Sequence, residues 1–317
     1  MPDGALPPPL LVLARRLVAP GRGLLDLSDV DGALSSRLLV ADVLPSLAAK
    51  QSVRRWVLST PGLPRTVAAA ILDAAAFDGH QDGTSPAFTA GAQRILPGFA
   101  VRPTVERILA DRLRGCRARG ALFARCRAPG PGAARGTARV AASSALMCQA
   151  AGLVPVIEVV TTDPGDEAPN TAPDAAVAAL VVTVQELKLA GVDPRSVVLA
   201  SDLPACFIGP APGDLTGSAA LASAALAVAV PREIAGVVLD LTTVAPSLDG
   251  QPPAALHLSG LRRGTWCAGP SILAEALCTW AGNEDRVPAA QAVLAGRLAV
   301  LRAAERVGGC PAVREGG

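Results

Sequence analysis

The sequence predicts a single (β/α)8 TIM barrel with extra helices at its N- and C-terminal ends. Three observations carry that expectation. Strand-like and helix-like runs alternate through all 317 residues, which argues for a parallel α/β fold. Most of the strand-like runs are continuously apolar, as expected of strands buried on both faces. Eight of them can be picked out, and that number favours a closed barrel over an open sheet. No internal repeat and no long linker divides the chain, so residues 1–317 read as one domain.

In order, strands are expected near Leu24–Leu27, Val67–Leu72, Gly98–Val101, Ala121–Ala124, Val154–Ile157, Val197–Ala200, Val237–Leu241 and Thr265–Ala268. Helical periodicity is clearest over Thr104–Arg119, Thr137–Ala151, Asp174–Ala190 and Ser218–Val228. The stretch Ile272–Val307 reads as one or two long helices, with Pro288 as the break. Loops rich in Pro, Gly and Asp, such as "GHQDGTSP" (Gly79–Pro86) and "DPGDEAPNTAP" (Asp163–Pro173), fall between these elements.

Composition narrows the function. Half of the residues are hydrophobic and the formal net charge is +2. No block of like charge asks for nucleic acid or an anionic membrane, and neither is expected as a partner. The seven cysteines are scattered and form no CxxC, which reads as free thiols in a reducing compartment. The N-terminus carries no basic start before its apolar run, and the Ala/Val-rich stretch around Ser218–Val230 is too short for a bilayer. A cytoplasmic protein is expected. No cofactor motif is present; the glycines of "APGRG" lack the strand-before, helix-after setting of a phosphate loop. With only His80 and His257, no metal site is expected.

Several segments carry a resemblance. "ARRLVAPGRGLL" (Ala14–Leu25), "GALFARCR" (Gly120–Arg127), "MCQAAGLVPVIE" (Met147–Glu158) and "LAEALCTWAG" (Leu273–Gly282) follow in one order with family-like spacing. Together they resemble the class I fructose-bisphosphate aldolases over roughly residues 10–310. The resemblance implies a lyase of glycolysis, commonly a homotetramer. It also implies a lysine amine that captures a ketone as a Schiff base, the electron sink for carbon–carbon cleavage.

This sequence departs from that pattern. The family's Schiff-base lysine precedes a proline at the end of the sixth strand; Pro204 matches the proline, and the lysine position falls on Leu203. The first-strand aspartate falls on Ser28, with Asp29 adjacent, and the third-strand lysine on Ala100. The fourth-strand lysine falls on Arg125, which keeps the charge but does not readily exchange a proton. The second fifth-strand glutamate falls on Val160, the seventh-strand serine near Leu241, and the phosphate-clamping arginine on Pro270. Arg37, Arg127 and Glu158 stand at family-matching positions. The chain has two lysines, Lys50 and Lys188, and both read as solvated surface charges.

Alternation along strands groups what remains. If Glu158 faces the barrel interior, Arg125, Arg127 and Asp26 share its phase. Glu158 is the candidate acid/base; Arg37, Arg125, Arg127 and Asp26 are the candidate substrate-binding residues for a sugar phosphate or small anion. The more economical reading is an ion-pair network that fills the old site, because buried charges must be paired. The expected function is a catalytically defective aldolase-like protein with a residual binding or assembly role. The alternative is a functional or weak lyase that uses another amine or a remodelled pocket.

Overall fold

Val67–Leu72 is an unbroken apolar hexapeptide, and every residue of it is buried. It is β2 of a closed barrel in which eight parallel strands pair in sequence order. The others are β1 (Gly23–Asp26), β3 (Leu96–Val101), β4 (Phe123–Arg127), β5 (Val154–Val159), β6 (Val198–Ser201), β7 (Gly236–Asp240) and β8 (Gly264–Ala268). Closure comes from β8 pairing with β1, Leu24 against Cys267 and Leu25 against Ala268. The computed structural model describes residues 9–78, 84–102, 106–127, 135–159, 173–201, 224–241 and 263–307.

Period-two alternation sorts the strand residues into two cores. Leu25, Ala70, Phe99, Ala124, Ile157, Leu199 and Trp266 face outward and pack with the surrounding helices. Leu24, Ile71, Phe123, Val156, Val198, Val238 and Cys267 form the separate inner core. Phe123 fills so much of that interior that a Cβ on neighbouring Gly98 would come within 2.0 Å of its ring. Glycine at 98 therefore makes room for the aromatic ring rather than for a turn.

The helices are α1 (Pro9–Leu17), α2 (Ala33–Val40), α3 (Leu47–Leu58), α4 (Pro86–Ala92), α5 (Glu106–Ala118), α6 (Arg135–Ala150), α7 (Pro173–Leu189), α8 (Ala274–Trp280) and α9 (Val287–Val307). A further helical segment runs over 224–229. Leu10, Ala14 and Leu17 recur on one face of α1 and, with Val18, join the inner core. α1 thus covers the N-terminal end of the barrel. On α3, Ser46 caps the first turn by accepting a hydrogen bond from the Ala49 N–H.

The helix break at the C-terminus is not at Pro288. The chain turns at Ala281 and Gly282, both with positive φ (45° and 75°), and Pro288 sits in the first turn of α9. Proline is tolerated there because the first N–H groups of a helix have no partner within it. β4 also extends beyond the expected Ala121–Ala124, through both of its arginines. Of the expected helix Ser218–Val228, residues 218–223 lie outside the described residues.

Candidate functional site

At the C-terminal ends of the strands the inner core changes from apolar to charged. Asp26 ends β1, Arg125 and Arg127 lie on β4, Glu158 is on β5 and Asp240 ends β7. Register brings Arg127 beside Glu158 on adjacent strands. The Arg125 guanidinium reaches across the barrel and donates to three carboxylates. Its Nε lies 2.9 Å from Glu158 Oε2, one Nη lies 2.6 Å from Asp240 Oδ2, and the other contacts Asp26. Asp26 also accepts from the Ser28 N–H at 2.9 Å.

Arg127 is the outer member. It faces Glu158 Oε1 at 3.5 Å and donates to Asp31 at 2.7 Å. Asp31 is held from its other side by Arg102. The gap left beside Asp26, Ser28, Arg125, Arg127 and Glu158 measures about 20 Å³, room for about one water molecule.

Burial governs the titration of this cluster. It pushes Glu158 up to about 7 against the pull of Arg125, and the Asp240 charge pushes the same way. Burial likewise raises Asp26 against the pull of Arg125. Asp31 behaves oppositely: partial burial raises it, but Arg127 and Arg102 together outweigh that and hold it below the ordinary value. Burial pushes the Cys267 thiol well up, with the Asp240 charge adding to it, so it is no ready nucleophile.

The structure thus brings together four of the five residues grouped from the sequence, Asp26, Arg125, Arg127 and Glu158. Arg37 lies on α2 and forms no ion pair with a described residue. Sequence reasoning missed Asp240, Asp31 and Arg102. For Asp240 a signal was available: "GVVLD" of β7 has the same glycine-to-aspartate outline as "GLLD" of β1, and Asp240 shares the phase of inward-facing Val238.

Both lysines are described. Lys188, near the end of α7, is exposed as expected. Lys50 is not the free surface charge expected of it. Its side chain is only 21% exposed and its Nζ lies 2.6 Å from Asp29 Oδ2, just beyond β1. Burial raises the Asp29 carboxyl, but hydrogen bonds from Lys50 and Ser35 outweigh it and hold Asp29 low. Neither amine is in the barrel interior.

Ala100 is buried on β3 and Pro270 is buried in the turn after β8. Leu203, Pro204, Val160, His80, His257 and Cys206 lie outside the described residues. Among the described residues no group of His, Cys, Asp and Glu is arranged to hold a metal ion, and no helix is long and apolar enough to cross a membrane.

No protein-family model and no curated protein matches the chain. Solved structures do. Fructose-bisphosphate aldolase of Plasmodium falciparum, in a ternary complex with TRAP and a small molecule inhibitor, superposes with a TM-score of 0.76 at 21% identity, covering 95% of each chain. The chain has the barrel fold of an aldolase. Two structures of the carboxyl transferase domain of Rhizobium etli pyruvate carboxylase are more distant, with TM-scores of 0.51 and 0.52 at 14% identity. They match 93% and 94% of this chain but only 50% of theirs. At these identities the likeness establishes fold, and the chemistry of the aldolase-like barrel must be argued from its own residues.

Proposed function

We propose that this aldolase-like barrel has lost Schiff-base chemistry and keeps a binding or assembly role. One observation carries the reading: neither of the chain's two lysines enters the barrel interior, where Arg125 is bound by three carboxylates instead. A Schiff base needs a neutral primary amine beside the carbonyl. A guanidinium stays protonated and cannot supply one. Lys188 is exposed on the outer helix layer, and the Lys50 amine is paired with Asp29.

In this reading Arg125, Asp26, Asp240 and Glu158 form an ion-paired plug. Arg127, with Arg37 as a remoter candidate, is what remains to meet a sugar phosphate or small anion. Assembly, such as the homotetramer that the family resemblance implies, has support on the surface. Leu39, Val40, Leu44 and Leu47 are 61%, 69%, 79% and 61% exposed at the turn between α2 and α3, an apolar exposure that fits burial against another chain.

A second reading, a weak lyase, is favoured by Lys50. It lies at the end of β1 from which barrel enzymes work and is partly open to solvent. Incubation with fructose 1,6-bisphosphate or dihydroxyacetone phosphate, borohydride reduction and intact-mass measurement separates the two. No adduct is expected. An adduct that vanishes in Lys50→Arg would establish the weak lyase.

A further inference from the structure

All eight strands run parallel, so all of them start at the same end of the barrel. The segments that lead into them share that N-terminal face. An arginine stands within four residues of the start of β1, β2, β3, β6, β7 and β8: Arg22, Arg65, Arg94, Arg195, Arg232 and Arg263. Helix α1, which covers this end, adds Arg15 and Arg16 on its outer side. Arg22 is half-buried and the other arginines are exposed. The charges are scattered along the chain, so no block of like charge stands out in the sequence; the fold gathers them.

Two carboxylates, Asp193 and Glu233, stand in the same segments. Asp193 pairs with Arg195 at 3.0 Å. The adjoining sequence adds little negative charge: residues 1–8 contain one carboxylate, Asp3, and residues 250–262 contain none. The whole chain holds 29 cations and 27 carboxylates, so a surplus of arginine on this face leaves the rest of the chain net negative. Helix dipoles do not account for the set. Arg22, Arg65, Arg195 and Arg232 lie beyond the last turn of the preceding helix, where the dipole no longer acts.

Exposed aliphatic side chains share this end. Val12 lies on α1, Leu189 ends α7 just ahead of β6, and Val228 closes the helical segment ahead of β7; they are 55%, 74% and 87% exposed. No aromatic residue occurs in the segments that carry the arginines. Single-stranded nucleic acid is held by stacking on aromatic rings, and a duplex would leave the aliphatic side chains uncovered. An anionic lipid surface satisfies both kinds of group: phosphates meet the guanidinium groups, and the aliphatic tips enter the acyl boundary.

We infer that the N-terminal face docks the barrel on an anionic lipid surface, with the mouth of the barrel turned away from it. The face lies at the opposite end from Arg125 and its carboxylates, so the docking stands whether or not the barrel retains chemistry.

Co-sedimentation of the full chain with vesicles of equal parts phosphatidylserine and phosphatidylcholine tests this, with pure phosphatidylcholine vesicles as the uncharged control. The expected result is binding to the anionic vesicles that weakens with added salt, and none to the control. Arg65→Gln with Arg94→Gln should weaken binding about 25-fold, about fivefold for each charge removed near the surface. Leu189→Ser with Val228→Ser should weaken it as well, without changing its salt dependence. Arg107→Gln with Arg286→Gln, exposed arginines outside this face, should leave it as it was. An unchanged melting temperature confirms that each variant is folded. Absence of vesicle binding, equal binding to phosphatidylcholine, affinity unchanged by the Arg65 and Arg94 pair or by the Leu189 and Val228 pair, or equal loss in the Arg107 and Arg286 pair would each overturn the assignment. Binding of a short DNA duplex without binding of vesicles would overturn it in favour of nucleic acid.

Discussion

Three carboxylates around one guanidinium leave an excess of negative charge, and burial makes that excess costly. The protein relieves it by holding protons: Glu158 titrates at about 7 rather than 4.5, and Asp26 is raised as well. A carboxyl whose folded value is raised stabilises the fold fully below its unfolded value. That contribution is lost as pH rises through the folded value. The Glu158 contribution is thus complete below 4.5 and gone above about 7. Asp29 and Asp31 are held low and act in reverse, contributing above their ordinary value of 3.8 and failing in stronger acid. The melting temperature should therefore be higher near about pH 5 than near about pH 8. Glu158→Gln should flatten that slope, because its amide oxygen still accepts from Arg125 without titrating. A wild-type melting temperature rising steadily from pH 5 to 8 would contradict the assignment.

Arg125 is the other test at this scale. Arg125→Met leaves Asp26, Glu158 and Asp240 without their common donor. Urea unfolding should report a loss of about 3–5 kcal/mol at high pH, the range for breaking a buried ion pair. The loss should shrink below pH 4.5, where Glu158 is protonated even in the unfolded chain. The grouping of Asp26, Arg125, Arg127 and Glu158 was legible because strand alternation fixes phase. Asp240 was not found because the family pattern drew attention to the next residue, Leu241. Lys50 was misjudged because its partner, Asp29, is 21 residues away and meets it only when α3 packs across the end of β1.

The elements were legible where composition and burial agree. β2 matches its expected bounds because six apolar residues leave no ambiguity. β4 was placed too early because "FARCR" looks too charged for an inner strand; a strand carries such residues when each charge has a partner. The paired choice of Gly98 and Phe123 could not be read from either strand alone. Gly98→Ala would drive a methyl into the Phe123 ring, and chemical unfolding should show a loss of about 1–3 kcal/mol. Phe123→Leu in the same chain should recover part of it; no recovery would mean that the clash lies elsewhere. At α3, Ser46→Ala removes the cap hydrogen bond and should cost about 1 kcal/mol.

Across the whole molecule, closure is the organising fact. β8 returns to β1, α1 covers the N-terminal end, and the charged cluster fills the C-terminal end of the interior. The sequence announced closure through its count of strands, whereas the charged plug depends on side chains from four strands meeting in space. One continuous barrel predicts a single cooperative unfolding transition with coincident fluorescence and circular dichroism midpoints. Two separated midpoints would show that part of the barrel unfolds by itself. The central proposal is that neither lysine of this chain is placed to capture a sugar carbonyl. Its most direct test is cleavage of fructose 1,6-bisphosphate by the chain purified from a host lacking its own aldolase. The account predicts no triose phosphate above the no-protein control, and steady turnover lost on Lys50→Arg would contradict it.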